Sequence, residues 1–205
     1  MPDFMQSLRN HFRFMGEVDN VPHGIKTRQR RRSGRAMLAL MMGELNYRVG
    51  AEIGTYYGHS ARLWCESCPG LQLTCIDPYS VYRPRKSQEK QDAVFEEAKK
   101  NLAPFHVTFL RESSRTAHAH LKDGSLDFVH IDGDHDFDMI ALDLINYVPK
   151  VKKGGMILIH DYFNFYQGGV VEAVNAYTRC HLIHPWFTTR DEEPTAFWQR
   201  GAERV

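Results

Sequence analysis

Apolar and polar positions along this chain alternate between a helical and a strand-like period. From Ser33, an N-cap residue type, the run Ala36-Met37-Leu38-Ala39-Leu40-Met41-Met42 predicts an apolar helix ending near Leu45. Upstream, the stretch to Gln29 reads as irregular or weakly helical. Downstream, short apolar runs predict strands at Val49–Ile53, Leu71–Ile76, Val107–Leu110, Leu126–Ile131 and Gly155–His160. Between them fall helices at Ser60–Cys68, Gln88–Leu102, Ser114–Leu121 and Phe137–Val148, and a further one follows at Val170–Thr178. The helix at Phe137 places Ile140, Leu144 and Val148 on one face at i, i+4 and i+8. Gly155–His160 is nearly all apolar, as strands covered on both faces of a parallel sheet are. His181–Thr188 and Ala196–Gln199 read as a final antiparallel pair. Strand–helix alternation of this kind predicts an α/β, doubly wound sheet with helices on both faces.

Composition leaves that picture intact. The chain has 205 residues, 42% hydrophobic and 25% charged, which is ordinary globular composition. With no Pro-, Gly- or Ser-rich linker, residues 1–205 read as one domain, with residues 1–32 as an N-terminal extension. A formal net charge of +1 makes no global case for a nucleic-acid partner. Lys26, Arg28, Arg30, Arg31, Arg32 and Arg35 form a local basic cluster, read as a solvated segment, the alternative being a grip on substrate or RNA phosphates. No apolar run approaches the roughly 20 residues of a membrane span, and residues 1–15 lack the apolar core of a signal peptide. A cytoplasmic protein without a membrane partner is expected, and a homodimer is left open. Cys65 and Cys68 form a C-x-x-C, but Cys75 and Cys180 supply no second ligand pair by spacing, so reduced, partly buried thiols are expected.

In open α/β sheets, ligands sit beyond the carboxyl ends of the strands. The residues there are Glu52 to Ser60, Asp77, Glu112 to Ser114, Asp132 to His135 and Asp161 to Asn164. Each of these five groups contains an acid, which suits ribose hydroxyls, a cation or a metal. In Glu52-Ile-Gly-Thr-Tyr-Tyr-Gly-His-Ser60, Gly54 and Gly58 let backbone pass close to a ligand. The G-x-G-x-x-G fingerprint is absent, because Thr55 and Tyr56 follow Gly54, and no P-loop Lys is present. A nucleotide pyrophosphate is therefore not the favoured guest, and the alternative is a nucleoside without phosphates that carries a positive sulfonium, whose cationic amino-acid end an acid at Glu52 would suit. Asp77, ending the second strand of the series, can accept two ribose hydroxyls. Asp132 and Asp161 end two strands expected to be neighbours, about 4.8 Å apart, so their carboxylates can converge on one hard cation.

Glu52-Ile-Gly-Thr-Tyr-Tyr-Gly-His-Ser-Ala61 resembles motif I of class I methyltransferases, and Cys75-Ile-Asp77-Pro resembles motif II. Val129-His-Ile-Asp132-Gly-Asp-His135, followed by Lys153-Gly-Gly-Met-Ile-Leu-Ile-His-Asp161-Tyr162, is similar to the methyltransferase 24 group and its macrocin-type O-methyltransferase relatives. The likeness runs from about Val49 to Thr178. It implies a Rossmann-like, mostly parallel seven-stranded sheet with an antiparallel C-terminal strand, and S-adenosylmethionine as cofactor. It also implies that Glu52, Gly54, Thr55, Tyr56, Gly58 and Ser60 line the methionine and ribose part of that cofactor and that Asp77 holds the ribose. Glu112, Ser113 and Ser114 would stand near adenine, and Asp132 beside the cofactor as well. Metal-dependent relatives bind Mg²⁺ through the acids matching Asp132 and Asp161, and sugar-modifying relatives have a proposed base at the position of His135. Such relatives often place Asn or Asp directly after the second acid. Here Tyr162 stands there, with Asn164 two further on as the substitute ligand, which leaves the metal open.

The function expected is O-methylation of a small hydroxylated acceptor, a sugar or phenol. An RNA or protein methyltransferase docking through the basic cluster is the alternative, as is a non-catalytic cofactor-binding relative. An N/D-P-P-Y-type motif is missing after Leu126–Ile131, which counts against nitrogen targets. The acceptor itself is not legible, because pockets on one fold vary freely. Tyr162, Phe163, Phe165 and Tyr166 follow the strand ending at His160 and are expected to stack on a substrate ring or roof its pocket.

Overall fold

The computed structural model describes residues 2–15, 22–29, 31–81, 87–163 and 168–201. In chain order these form α1 (Phe4–His11), β1 (Phe12–Met15), β2 (His23–Thr27), α2 (Gly34–Glu44), β3 (Val49–Ile53), α3 (His59–Ser67), β4 (Gln72–Ile76), α4 (Gln88–Leu102), β5 (His106–Leu110), α5 (Ser114–Ala117), β6 (Leu126–Ile131), α6 (Phe137–Tyr147), β7 (Val151–Ile159), α7 (Gly169–Cys180), β8 (Phe187–Thr189) and β9 (Ala196–Gln199). Ser33 caps α2 as its residue type predicts, its hydroxyl accepting the Ala36 N–H at 3.2 Å.

All strands lie in one sheet, in the order β1-β2-β8-β9-β7-β6-β3-β4-β5. The run β7-β6-β3-β4-β5 is parallel throughout. β9 joins β7 antiparallel, and β8 joins β9 antiparallel. The chain builds outward from β3 through β4 to β5, then returns to add β6 and β7 on the other side. The crevice between the carboxyl ends of β3 and β6 is thus the topological switch point, where this class of sheet binds ligands.

Alternation along the strands divides the core into two layers. Ala51, Ile53, Val129, Ile131, Ile157 and Ile159 pack with Ile140 and Leu144 of α6 and Val170 and Val174 of α7. Leu73, Phe128, Met156 and Leu158 pack on the other face with Met37 and Met41 of α2 and Trp64 of α3. The thiols of Cys65 and Cys68 lie in that second layer, and burial pushes both up to about 12, which keeps them protonated and unreactive.

Two expectations are corrected. The sheet has nine strands among the described residues, not seven, because the segment read as irregular or weakly helical forms α1, β1 and β2. β2 pairs parallel with β8, about 160 residues away in the chain, from His23↔Phe187 to Ile25↔Thr189. Strands of four and five residues carry too little periodicity to be seen without that partner. The strand predicted from His181 begins only at Phe187, since Pro185 has no N–H to give a ladder. No helix among the described residues is long and apolar enough to cross a membrane.

Candidate active site

At the switch point β3 ends at Ile53, and Gly54 turns the chain with φ +82°. A Cβ on Gly54 would lie 2.0 Å from the carbonyl oxygen of Asp132, so only glycine lets the ends of β3 and β6 approach this closely. The contact is tied on both sides, since Gly54 N–H donates to Ile76 O and Asp132 N–H donates to Ile53 O, each at 2.9 Å. The chain continues through Thr55 and Tyr56, the latter at φ +49°, to Gly58, which is the N-cap of α3. A cavity of about 700 Å³ opens above these ends. Gly54, Thr55, Tyr56, Ser60, Asp77, Ser113, Ser114, Asp132 and His135 all line it, so most of the expected cofactor and catalytic residues do meet in one place.

Asp77, at the end of β4, accepts N–H groups from Tyr56 at 2.9 Å and Tyr79 at 2.8 Å. Burial raises its pKa, and the backbone N–H donors work against that. A carboxylate offers about four lone-pair sites, and beside these N–H donors, with Thr55 a third, room remains for a hydroxyl donor from the cavity.

On the other side of β3, the ends of β6 and β7 gather acids and imidazoles. His135 Nε2 lies 3.0 Å from Asp161 Oδ2. His160 Nδ1 sits between the two acids, 3.0 Å from Asp161 Oδ1 and 3.3 Å from Asp132 Oδ1. Asp161 holds φ +55°, a strained value for a residue with a side chain, and the cluster around it shows what that conformation positions. Burial works against the charge on Asp161, yet His135 and His160 hold its carboxyl well below the usual range. Burial likewise opposes a charged His160, but Asp132 and Asp161 outweigh it and push the imidazole up to about 9. The hydrogen bond to Asp161 also raises His135 above the ordinary histidine value. Asp132 resists burial through His160, His130 and Arg35, which together lower it.

Arg35 reaches the same place from the first turn of α2. Its Nη1 donates to Ser60 Oγ at 2.5 Å and lies 4.0 Å from Asp132 Oδ2, while Nη2 donates to Glu193 Oε2 at 2.7 Å. One member of the basic cluster is therefore part of the cavity wall. Arg28, by contrast, donates to the carbonyls of Arg9 and Phe12 and ties α1 to β1. Arg30 lies outside the described residues.

Three expected cofactor residues, Glu52, Gly58 and Glu112, do not line the cavity. Glu52 has its side chain in the α2/α3 layer, fully buried, where Oε1 accepts from Trp64 Nε1 at 3.0 Å and lies 3.1 Å from His130 Nδ1. Strand parity decides this, because Glu52 points away from the layer of Ala51 and Ile53 and sits beneath the cavity floor. Glu112 turns its carboxylate to the Thr116 hydroxyl at 2.9 Å and His120 Nε2 at 2.8 Å. Asn164, Phe165 and Tyr166 lie outside the described residues. Tyr162 donates to Asn175 at 2.8 Å, packs edge-on against Trp186, and lines a separate cavity of about 380 Å³.

His160, Glu193 and Asp143 were not singled out by sequence, and Arg35 was read only as one of the basic cluster. His160 carried a signal, being an imidazole ending an apolar strand directly before Asp161. Arg35 and Glu193 carried none, since each reaches the cavity only by tertiary packing. Asp143 lies buried on α6 at the cavity wall, and burial raises its carboxyl to about 6, a hydrogen bond from Ser114 notwithstanding.

Among the described residues, the set of histidine, cysteine or acid groups arranged to hold a metal is Asp132, His135 and Asp161, whose ligand atoms lie within 4.8 Å of one another. Two hard oxygens and one imidazole fit Mg²⁺ or Mn²⁺.

Comparisons with known proteins agree with this geometry. The model of a family described as a methyltransferase domain, methyltransferase 24, matches residues 51–162. Uncharacterized protein R132 of Acanthamoeba polyphaga mimivirus is 29% identical over 125 residues, 60% of this chain and 56% of that protein, so the chain matches little more than half the length of that relative. Among solved structures, the O-methyltransferase TomG from Streptomyces achromogenes, in complex with S-adenosylmethionine, aligns with TM-score 0.62 at 15% identity over 82% of this chain and 79% of that one. A putative caffeoyl-CoA O-methyltransferase from Staphylococcus aureus aligns with TM-score 0.58 at 18% identity, covering 82% and 83%. At these identities the two structures establish the fold.

Proposed function

The chain belongs to the methyltransferase 24 family of class I, S-adenosylmethionine-dependent methyltransferases, and from that membership we propose that it transfers a methyl group to a hydroxyl oxygen of a small acceptor, a sugar or phenol. The observation that carries the reading is that Asp77 and the Asp132–His135 pair line one cavity from opposite sides of the β3 end, with Asp161 beside His135.

S-adenosylmethionine, when bound, supplies an electrophilic methyl group on a sulfonium. Asp77 accepts the ribose hydroxyls with the lone pairs its backbone donors leave. Gly54, Thr55, Tyr56, Gly58 and Ser60 border the ribose and amino-acid part, and Ser113 and Ser114 border adenine. Asp132, held ionised, faces the positive end. His135 takes the acceptor's proton at Nδ1, while the Asp161 carboxylate beside Nε2 orients the ring and stabilises the imidazolium that results. The remaining contribution is positioning of the oxygen in line with the methyl group. Asp132 and Asp161 would hold a divalent metal, and such an ion would lower the pKa of a hydroxyl bound to it. His160 and Arg35 offer the same two acids a counter-charge from the protein itself.

Calorimetric titration with S-adenosylhomocysteine, followed by mass-spectrometric assay of methyl transfer to a panel of sugars and phenols, tests the reading. Binding and transfer are expected, with His135→Ala slowing turnover by about 10²–10⁴-fold. Absence of binding overturns it. Activity abolished by a chelator and restored by Mg²⁺ supports the metal. Activity indifferent to chelator rules the metal out and leaves the charge balance to His160 and Arg35.

A further inference from the structure

The cavity is lined by five aspartates, Asp77, Asp132, Asp134, Asp136 and Asp143, and among the described residues Arg35 is the only lysine or arginine on its wall. The proposed cofactor carries an ammonium and a sulfonium, which acids attract, and an α-carboxylate, which acids repel. A carboxylate can enter such a wall only where a cation answers it.

Arg35 meets the requirements for that cation. Its guanidinium is held from two sides, by Ser60 Oγ at 2.5 Å and Glu193 Oε2 at 2.7 Å, so its orientation is set before any ligand arrives. Ser60 lies in the first turn of α3, a nine-residue helix whose N-cap Gly58 supplies no side-chain hydrogen bond. The hydroxyl of Ser60, which lines the cavity, thus touches the guanidinium, and the first-turn N–H groups of α3 carry no intrahelical partner. Glu193 already places a carboxylate on Arg35. Its side chain is 65% exposed, on the loop between β8 and β9, whereas that of Arg35 is 22% exposed. An arginine fork that binds one carboxylate in this geometry is shaped for another.

We propose that Arg35, with Ser60, anchors the α-carboxylate of the cofactor's amino-acid end, and that Glu193 is the internal carboxylate this ligand displaces. The proposal rests on the S-adenosylmethionine reading above. It makes Arg35 a specificity residue for the amino-acid part of the cofactor, and it links cofactor occupancy to release of the β8–β9 loop.

The test compares two ligands that differ by the carboxylate alone, S-adenosylmethionine and its decarboxylated form, by calorimetry on wild type, Arg35→Gln and Glu193→Gln. Wild type is expected to bind the intact cofactor more tightly. Arg35→Gln should weaken the intact cofactor by on the order of 10–100-fold, the loss of a charge-assisted pair, and change the decarboxylated form by less than about threefold. Glu193→Gln, on the exposed loop, removes the competitor and should tighten the intact cofactor alone. Equal loss for both ligands in Arg35→Gln, or no loss for either, overturns the proposal. So does an effect confined to the KM of the acceptor, which would place the acceptor's anion on Arg35 instead. Should Arg35→Gln melt before binding can be read, Glu193→Gln decides, and unchanged or weaker binding of the intact cofactor there overturns it. Wild type that binds neither ligand would instead remove the cofactor reading itself.

Discussion

At the scale of single residues, the half-buried Asp77 and the buried Asp143 are two acids with opposite consequences. Asp77 is supported by backbone N–H donors and faces the expected ribose, so Asp77→Ala should lose a charge-assisted pair worth about 1.5–3 kcal/mol of S-adenosylhomocysteine affinity. Calorimetry checks this, and unchanged affinity would remove Asp77 from the site. Asp143 has a carboxyl oxygen without a hydrogen bond, and its pKa stands at about 6 against an ordinary 3.8. The folded state thus holds a proton that the unfolded chain has released. The associated stability is fully present below about pH 4 and is lost as pH rises through 6, a change of about 3 kcal/mol. Asp143→Asn should remove that dependence, so its melting temperature should fall less than wild type's between pH 4 and 7. Parallel melting curves would contradict this. The acids and imidazole of the site were legible one by one because each ends a strand. Glu52 was misassigned to the cavity because a strand end indicates a neighbourhood, while strand parity and packing choose the face.

At the scale of elements, the approach of β3 to β6 depends on one residue. Gly54→Ala places a methyl 2.0 Å from Asp132 O at a φ that L-residues disfavour, so the two strand ends must separate. A stability loss above about 2 kcal/mol by urea denaturation is expected, together with loss of cofactor binding. A variant of wild-type stability and affinity would show the turn to be adaptable. The five parallel strands and their helices were readable because buried strands are continuous apolar runs and amphipathic helices repeat every three to four residues. α5, predicted to Leu121, ends at Ala117 and passes into a 3₁₀ turn at His118–His120, a weak segment in pattern and in structure alike.

At the scale of the whole molecule, the N-terminal segment is part of the sheet. Phe12 of β1 and Ile25 of β2 are fully buried with Leu8 of α1 and Phe187 of β8. Phe12→Ala should therefore cost about 3–5 kcal/mol by chemical denaturation, as core truncations do. A cost below 1 kcal/mol would mark the segment as an appendage. The basic cluster is dispersed by the same packing, with Arg28 joining α1 to β1 and Arg35 in the cavity wall. Generic RNA should consequently bind weakly and release between low and moderate salt, as measured by fluorescence anisotropy. Tight, salt-resistant binding lost on neutralising Arg31 and Arg32 would contradict that.

The sequence by itself determined the α/β alternation, the glycine turn after β3 and the acids that end β4, β6 and β7, because these are set by local period, backbone freedom and chain position. Tertiary structure alone decided which side chains became walls. It extended the sheet from seven strands to nine by pairing β2 with β8, turned Glu52 under the floor, and brought Arg35, His160 and Glu193 to Asp132 and Ser60. Those choices depend on contacts between segments about 160 residues apart in the chain, as His23 and Phe187 are and as Arg35 and Glu193 are. No local pattern encodes such contacts, since their free energy exists only once the layers have closed.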